Sequence, residues 1–114
     1  MSKYSEVKRI TTNTLQEMKN DGVKISMLTA YDFSMAKIID EAGIDIILVG
    51  DSASNVMHGH ESTLPITLNQ MIDHASAVER AIQRCFVVAD LPFGFYQGNS
   101  RVALESSIRL MKES

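Results

Sequence analysis

A long hydrophobic run is missing from this sequence. No stretch reaches the roughly 18 apolar residues a membrane-crossing helix needs, and no apolar segment behind a basic start marks a signal peptide. Clustered positive charge is missing too. Eleven Lys and Arg stand against 14 Asp and Glu, for a net charge of -3, and no basic block occurs. The electrostatic footprint of a nucleic-acid or anionic-membrane partner is therefore absent, while small neutral or anionic ligands stay open. Cysteine is down to one, Cys85, which cannot form an internal disulfide. Phosphate-cradling glycine loops are lacking as well, because "GDSAS" has the glycine pattern of neither nucleotide motif. These absences together predict a cytoplasmic protein that handles small molecules, with no nucleic acid and no membrane.

What is present suits one ordinary domain: 114 residues, 45% of them apolar. Met1 to Ile10 is polar and reads as a loose arm, residues 1–11, before a folded portion, residues 12–114. "TLQEMKND" from Thr14, with a glycine stop at Gly22, predicts a short helix. "KISMLTAY" from Lys24 predicts a strand. "DFSMAKIIDEAG" predicts a helix capped by Asp32, with Met35, Ile38, Ile39 and Ala42 on one face. "IDIILVG" is apolar at nearly every position, as a strand buried on both faces must be. After a loop from Asp51 to Pro65, Thr67 and Gln70 form a capping box that opens a helix with Leu68, Met71, Ile72, Ala75, Val78 and Ile82 at helical spacing. "CFVVADLP" predicts a third strand. A last helix starts at a Ser100 cap and carries Leu104, Ile108 and Met111 on one side.

Strands alternating with helices, the strands continuously apolar, define an α/β fold built from βα units on a parallel sheet. Periodicity does not distinguish an open sheet from a closed barrel. A full (β/α)₈ barrel needs about 250 residues, so a barrel reading assigns this chain about the first three units plus an N-terminal helix. In either case the functional edge lies at the carboxyl ends of the strands. Asp51 ends one strand there and Asp90 the next, and neighbouring parallel strands run about 4.8 Å apart. Two carboxylates so close must share a proton or a cation, and a hard ion such as Mg²⁺ suits them. The competing reading makes each aspartate a helix cap or Asx-turn. Ser52 is either a carboxylate-binding hydroxyl or ordinary turn chemistry.

His58-Gly59-His60 resembles the His-x-His pair of metal hydrolases, but it lies well past the strand end, which favours a loop or pocket-wall role over zinc ligation. His74, mid-helix, reads as solvated or locally bonded. Phe93, Phe95 and Tyr96 either cover a pocket or pack over the sheet end. Cys85, just before a strand, reads as a buried apolar residue, not a nucleophile.

"MLTAYDFSMAKIIDEAGIDIILVGDS", "GHESTLPITLNQMIDH" and "VVADLPFGFYQ", in that order, closely resemble the ketopantoate hydroxymethyltransferase family, from about Thr12 to Ser114. The resemblance implies a (β/α)₈ barrel, a homo-oligomer (commonly a decamer), Mg²⁺ and the co-substrate 5,10-methylenetetrahydrofolate. It assigns Asp51 and Asp90 to the metal, and Asp51, Ser52 and Asp90 to the keto acid 3-methyl-2-oxobutanoate. The family's lysine, its metal-side glutamate and its general-base glutamate belong beyond Ser114, so no catalytic base is assigned in this chain. "ASN" (Ala53, Ser54, Asn55) after Asp-Ser departs from the small residues usual in the family. Two alternatives stand beside this reading: a related Mg²⁺-dependent phosphoenolpyruvate mutase or lyase, and an inactive barrel fragment or assembly module.

Overall fold

The structure is a computed structural model that describes Val7 to Ser114; Met1 to Glu6 of the expected arm lie outside the described residues. Three parallel strands, β1 (Met27–Thr29), β2 (Ile46–Val49) and β3 (Phe86–Ala89), form one sheet in that order. Among the described residues five helices accompany them: α1 (Thr12–Asn20), α2 (Phe33–Glu41), α3 (Ala53–Val56), α4 (Leu68–Ala81) and α5 (Ser100–Glu113). The α/β expectation with a parallel sheet therefore holds. No helix among the described residues is long and apolar enough to cross a membrane.

β2 is the central strand, and its apolar run has a use at every position: Ile46, Ile47 and Val49 are buried. The other two strands lie at the edges and differ accordingly. β1 is shorter than the predicted segment and exposed along its length, and β3 is half-buried throughout. Burial on both faces, which the apolar run of "IDIILVG" predicted, is thus found in β2 and not in the edge strands.

α4 is the keystone of the core. Thr67 Oγ1 accepts from the Gln70 N–H and Gln70 Oε1 accepts from the Thr67 N–H, the reciprocal box that the spacing predicts. Leu68, Met71, Ile72, Ala75 and Val78 are buried, and α4 packs on α2, α5, β2 and β3. Ile82, just past the helix, is buried as well.

Elsewhere the structure corrects local expectations. α2 is capped by Asp32 as predicted, but it buries Ala36 and Ile39 while Met35 and Ile38 face solvent. The cap of α5 is Asn99, whose Oδ1 accepts from the Val102 N–H, and Ser100 is already helical. On that helix Ser106 and Leu110 are buried, whereas Leu104, Ile108 and Met111 are exposed. In both helices the buried pair is one small and one large residue, Ala36 with Ile39 and Ser106 with Leu110, and the remaining large apolar side chains face outward. α1 begins two residues early, at a Thr11–Thr14 capping box, and Gly22 ends it with φ of 71° as a glycine stop requires. The expected loop after Asp51 contains the one-turn helix α3.

The described end of the arm is not loose. Ile10 is buried and its N–H donates to the Arg84 carbonyl, while Arg9 donates to the Cys85 carbonyl and pairs with Glu79. One apolar side chain and two hydrogen bonds, to the Arg84 and Cys85 carbonyls, fasten it to the entrance of β3.

Candidate active site

The two ends of the sheet use their acidic residues differently. At the amino end Asp40 accepts from the backbone N–H groups of Gln83, Arg84 and Cys85, at 2.9, 3.1 and 2.8 Å. Burial acts to raise the Asp40 pKa, and these donors outweigh it, leaving the carboxyl below its ordinary value. Asp45 accepts from the Ser26 N–H, which lowers its pKa against the opposing effect of burial, with Arg84 adding to the lowering. Cys85 is buried, and desolvation reinforced by the Asp40 carboxylate pushes its thiol up to about 12. The reading of Cys85 as an inert core residue is right. This end is a structural clamp joining β1, β2 and β3.

At the carboxyl end the register is Val49 opposite Ala89, and the Asp90 N–H donates to the Val49 carbonyl. Asp90 is therefore level with Gly50, and Asp51 extends one residue further; the two aspartates are not at equivalent positions. They are joined nonetheless, because the Asp51 N–H donates to Asp90 Oδ2 at 3.0 Å. Gly50 makes the approach possible: a Cβ there would lie 3.0 Å from Ser52 Oγ and 3.4 Å from Asp90 Oδ2.

Neither aspartate behaves as a cap. α3 is capped by Ser52 without a side-chain bond, and the Asp90 carboxylate reaches back across the sheet, not forward into its own turn. Ser52 Oγ lies 2.6 Å from the Tyr31 hydroxyl. Tyr31 went unnoticed in the sequence although a signal existed: it stands two residues beyond β1, the same offset as Asp51 beyond β2. Polar groups from the ends of all three strands thus gather at one edge. Beside them Asp51, Ala89, Asp90, Leu91 and Tyr96 line an open depression of about 500 Å³. Of the aromatic trio, Tyr96 borders it, Phe95 packs on the core and Phe93 is exposed. A larger cleft of about 610 Å³, bordered by Arg9, Glu79, Phe86 and Leu110, shares Ala89 with the depression but is lined by neither aspartate, and its charged pair is already an ion pair.

The donor set suits a hard cation: two half-buried carboxylates, with one Asp90 oxygen held by the Asp51 N–H and the Asp51 carboxylate free of hydrogen bonds among the described residues. It is a partial shell, since no cluster of three His, Cys, Asp or Glu side chains occurs among the described residues. The histidines stand apart from it. His58 and His60 stack with centroids 6.4 Å apart. His74 is half-buried and bonded to distant residues, not locally: its Nδ1 meets the Tyr31 carbonyl at 2.8 Å and its Nε2 lies 3.0 Å from His58 Nε2.

A parallel sheet with helices packed on it places the chain in the class of α/β proteins, in which the carboxyl edge of the sheet is the usual place for a ligand. Within that class the chain belongs to the ketopantoate hydroxymethyltransferase family, whose description matches residues 9–114. The 3-methyl-2-oxobutanoate hydroxymethyltransferase of Cytophaga hutchinsonii is 74% identical over 96% of this chain and 40% of its own length. Those of Flavobacterium johnsoniae and Parabacteroides distasonis are 69% and 62% identical, over 96% and 100% of this chain. The chain spans about 40% of the length of these curated relatives.

Proposed function

We propose that the polypeptide carrying these residues is a cytoplasmic, homo-oligomeric (β/α)₈-barrel enzyme that moves a one-carbon unit from 5,10-methylenetetrahydrofolate to 3-methyl-2-oxobutanoate, giving ketopantoate for pantothenate synthesis. The observation that supports it most is the 3.0 Å bond from the Asp51 N–H to Asp90 Oδ2, which holds two strand-end carboxylates together beside the depression. Asp51 and Asp90 are the Mg²⁺ ligands of this reading. When bound, the ion supplies charge withdrawal from the keto oxygen, which acidifies the neighbouring C–H.

The chain's own residues bind and orient. Asp90, anchored by the Asp51 N–H and through its backbone to Val49, presents its remaining carboxylate lone pairs to the depression. Ser52 holds the keto acid's carboxylate through its hydroxyl, which the Tyr31 hydroxyl steadies. Tyr96 and Leu91 border the place where the branched alkyl end would sit. None of these groups is the proton-abstracting base, which in this reading lies outside residues 1–114.

The test is hydroxymethyl transfer by the full gene product, with and without Mg²⁺, on 3-methyl-2-oxobutanoate and on phosphoenolpyruvate-type acids. Asp51→Asn and Asp90→Asn should each lower turnover on the branched keto acid. Turnover untouched by chelator and by both substitutions, or confined to the phosphorylated acids, would sink the reading.

A further inference from the structure

His74 projects from α4, and its Nδ1 lies 2.8 Å from the Tyr31 carbonyl. A carbonyl only accepts, so Nδ1 carries the proton, and in the neutral ring Nε2 presents its lone pair. That lone pair faces His58, whose Nε2 is 3.0 Å away, the rings meeting edge-on at 69° with centroids 5.2 Å apart. An imidazole held through one nitrogen by a backbone carbonyl is oriented as proteins orient metal-ligating histidines, and at the other nitrogen an arriving cation would replace the His58–His74 hydrogen bond.

Distance supports the same use. Two nitrogens each about 2.1 Å from one ion sit about 3.0 Å apart at a right angle and about 3.4 Å apart at the tetrahedral angle. His58 is exposed, so a shift of a few tenths of an ångström meets no packed neighbour. Its backbone is nevertheless held: the His58 N–H donates to Ala53, the His60 N–H to Ser54, Asn55 Nδ2 to the His60 carbonyl and Ser54 Oγ to the Ser62 carbonyl. The loop therefore presents His58 at a defined place. His60 stacks beside His58 with the rings at 21°, and its ring makes no hydrogen bond to His58 or His74 among the described residues.

We propose that His58 and His74 form a two-imidazole binding site for a borderline divalent cation of the Zn²⁺ type, separate from the Asp51–Asp90 pair, with water completing its coordination. Donor chemistry keeps the two sites apart, because imidazole nitrogen selects Zn²⁺, Ni²⁺ or Cu²⁺ whereas carboxylate oxygen suits Mg²⁺. An ion there would tie the segment after α3 to α4 and, through the Tyr31 carbonyl, to the end of β1.

Isothermal titration of ZnCl₂ into the full gene product, in excess Mg²⁺ to occupy oxygen sites, tests this. One Zn²⁺ should bind per chain, and the imidazole Nε2 resonances of His58 and His74 should shift in long-range proton–nitrogen spectra. His58→Gln is the informative variant because it leaves the His74–Tyr31 bond in place. It should weaken Zn²⁺ binding by about tenfold or more, since even outer-shell partners of a ligand carry that much. His60→Gln should leave Zn²⁺ affinity unchanged. Unaltered affinity in His58→Gln with an unchanged circular dichroism spectrum, no Zn²⁺ uptake by the folded wild type, or unmoved Nε2 resonances would each overturn the proposal.

Discussion

The main-chain N–H of Asp51 donates to Oδ2 of Asp90 at 3.0 Å, so a residue ending the central strand is held by the side chain of a residue ending its neighbour. The two are not interchangeable in this bond. Asp90 spends a carboxylate oxygen on it, while Asp51 contributes only backbone and keeps its own carboxylate free.

Substitutions at the pair should therefore differ in their side effects. In the full gene product, Asp51→Asn and Asp90→Asn should each weaken Mg²⁺ affinity by about tenfold or more. Asp90→Ala should in addition loosen the segment around Asp51, seen as faster exchange of the Asp51 amide, which Asp51→Ala cannot cause at Asp90. Wild-type Mg²⁺ affinity in both Asn variants would refute a shared site.

Gly50→Ala places a methyl group 3.0 Å from Ser52 Oγ and 3.4 Å from Asp90 Oδ2. The Ser52 hydroxyl must give way by a few tenths of an ångström, disturbing the Tyr31–Ser52 contact, while the Asp90 carboxylate is left in ordinary contact. The expected cost is about 1–3 kcal/mol of stability, the usual range for added bulk in a filled site, together with weaker Mg²⁺ binding. Urea denaturation and metal titration on one preparation check both.

Acid should weaken the clamp at the other end of the sheet. The Asp40 and Asp45 pKa values are depressed in the folded state, so their contribution is fully present above the ordinary carboxylate value of about 3.9 and is lost as pH falls through the folded values. The urea midpoint should drop below about pH 4. Asp40→Asn should flatten that drop and cost about 1–3 kcal/mol at neutral pH by leaving backbone donors poorly satisfied. An unchanged acid profile in this variant would count against the clamp.

Cys85 titrates in the opposite sense. Its folded pKa of about 12 is raised, so the neutral thiol's contribution is intact below the unfolded value of about 8.5 and is lost as pH rises towards the folded one. At pH 8 a maleimide should label Cys85 only as fast as the chain opens, and urea should speed the reaction. Rapid labelling of native protein would contradict the buried-thiol account.

Residues 1–114 expressed alone should associate. Met27 and Leu28 of the edge strand, Phe33, Met35 and Ile38 of α2, and Leu104, Ile108 and Met111 of α5 are all exposed, and a sheet with open edges invites pairing. Light scattering should show concentration-dependent oligomers, and the isolated chain should not turn over the keto acid. A monomeric, cooperatively melting, active chain would overturn this expectation.

How much was legible beforehand divides by the range of the interaction. The sequence by itself determined the alternation of elements, the Thr67–Gln70 box, the Asp32 cap, the glycine stop at Gly22, the core face of α4 and the strand ends at Asp51 and Asp90. Apart from the alternation itself, each depends on spacing within a single helix, turn or strand. Tertiary structure decided the rest. Which of three apolar strands is central depends on partners far along the chain. Whether α2 buries Ala36 or Met35 depends on which of its faces packs against α4. The offset between Asp51 and Asp90 depends on the register of β2 against β3. The meeting of Tyr31 with Ser52, and of His74 with both Tyr31 and His58, joins residues 16 to 43 positions apart, and no local pattern encodes a contact that only packing creates.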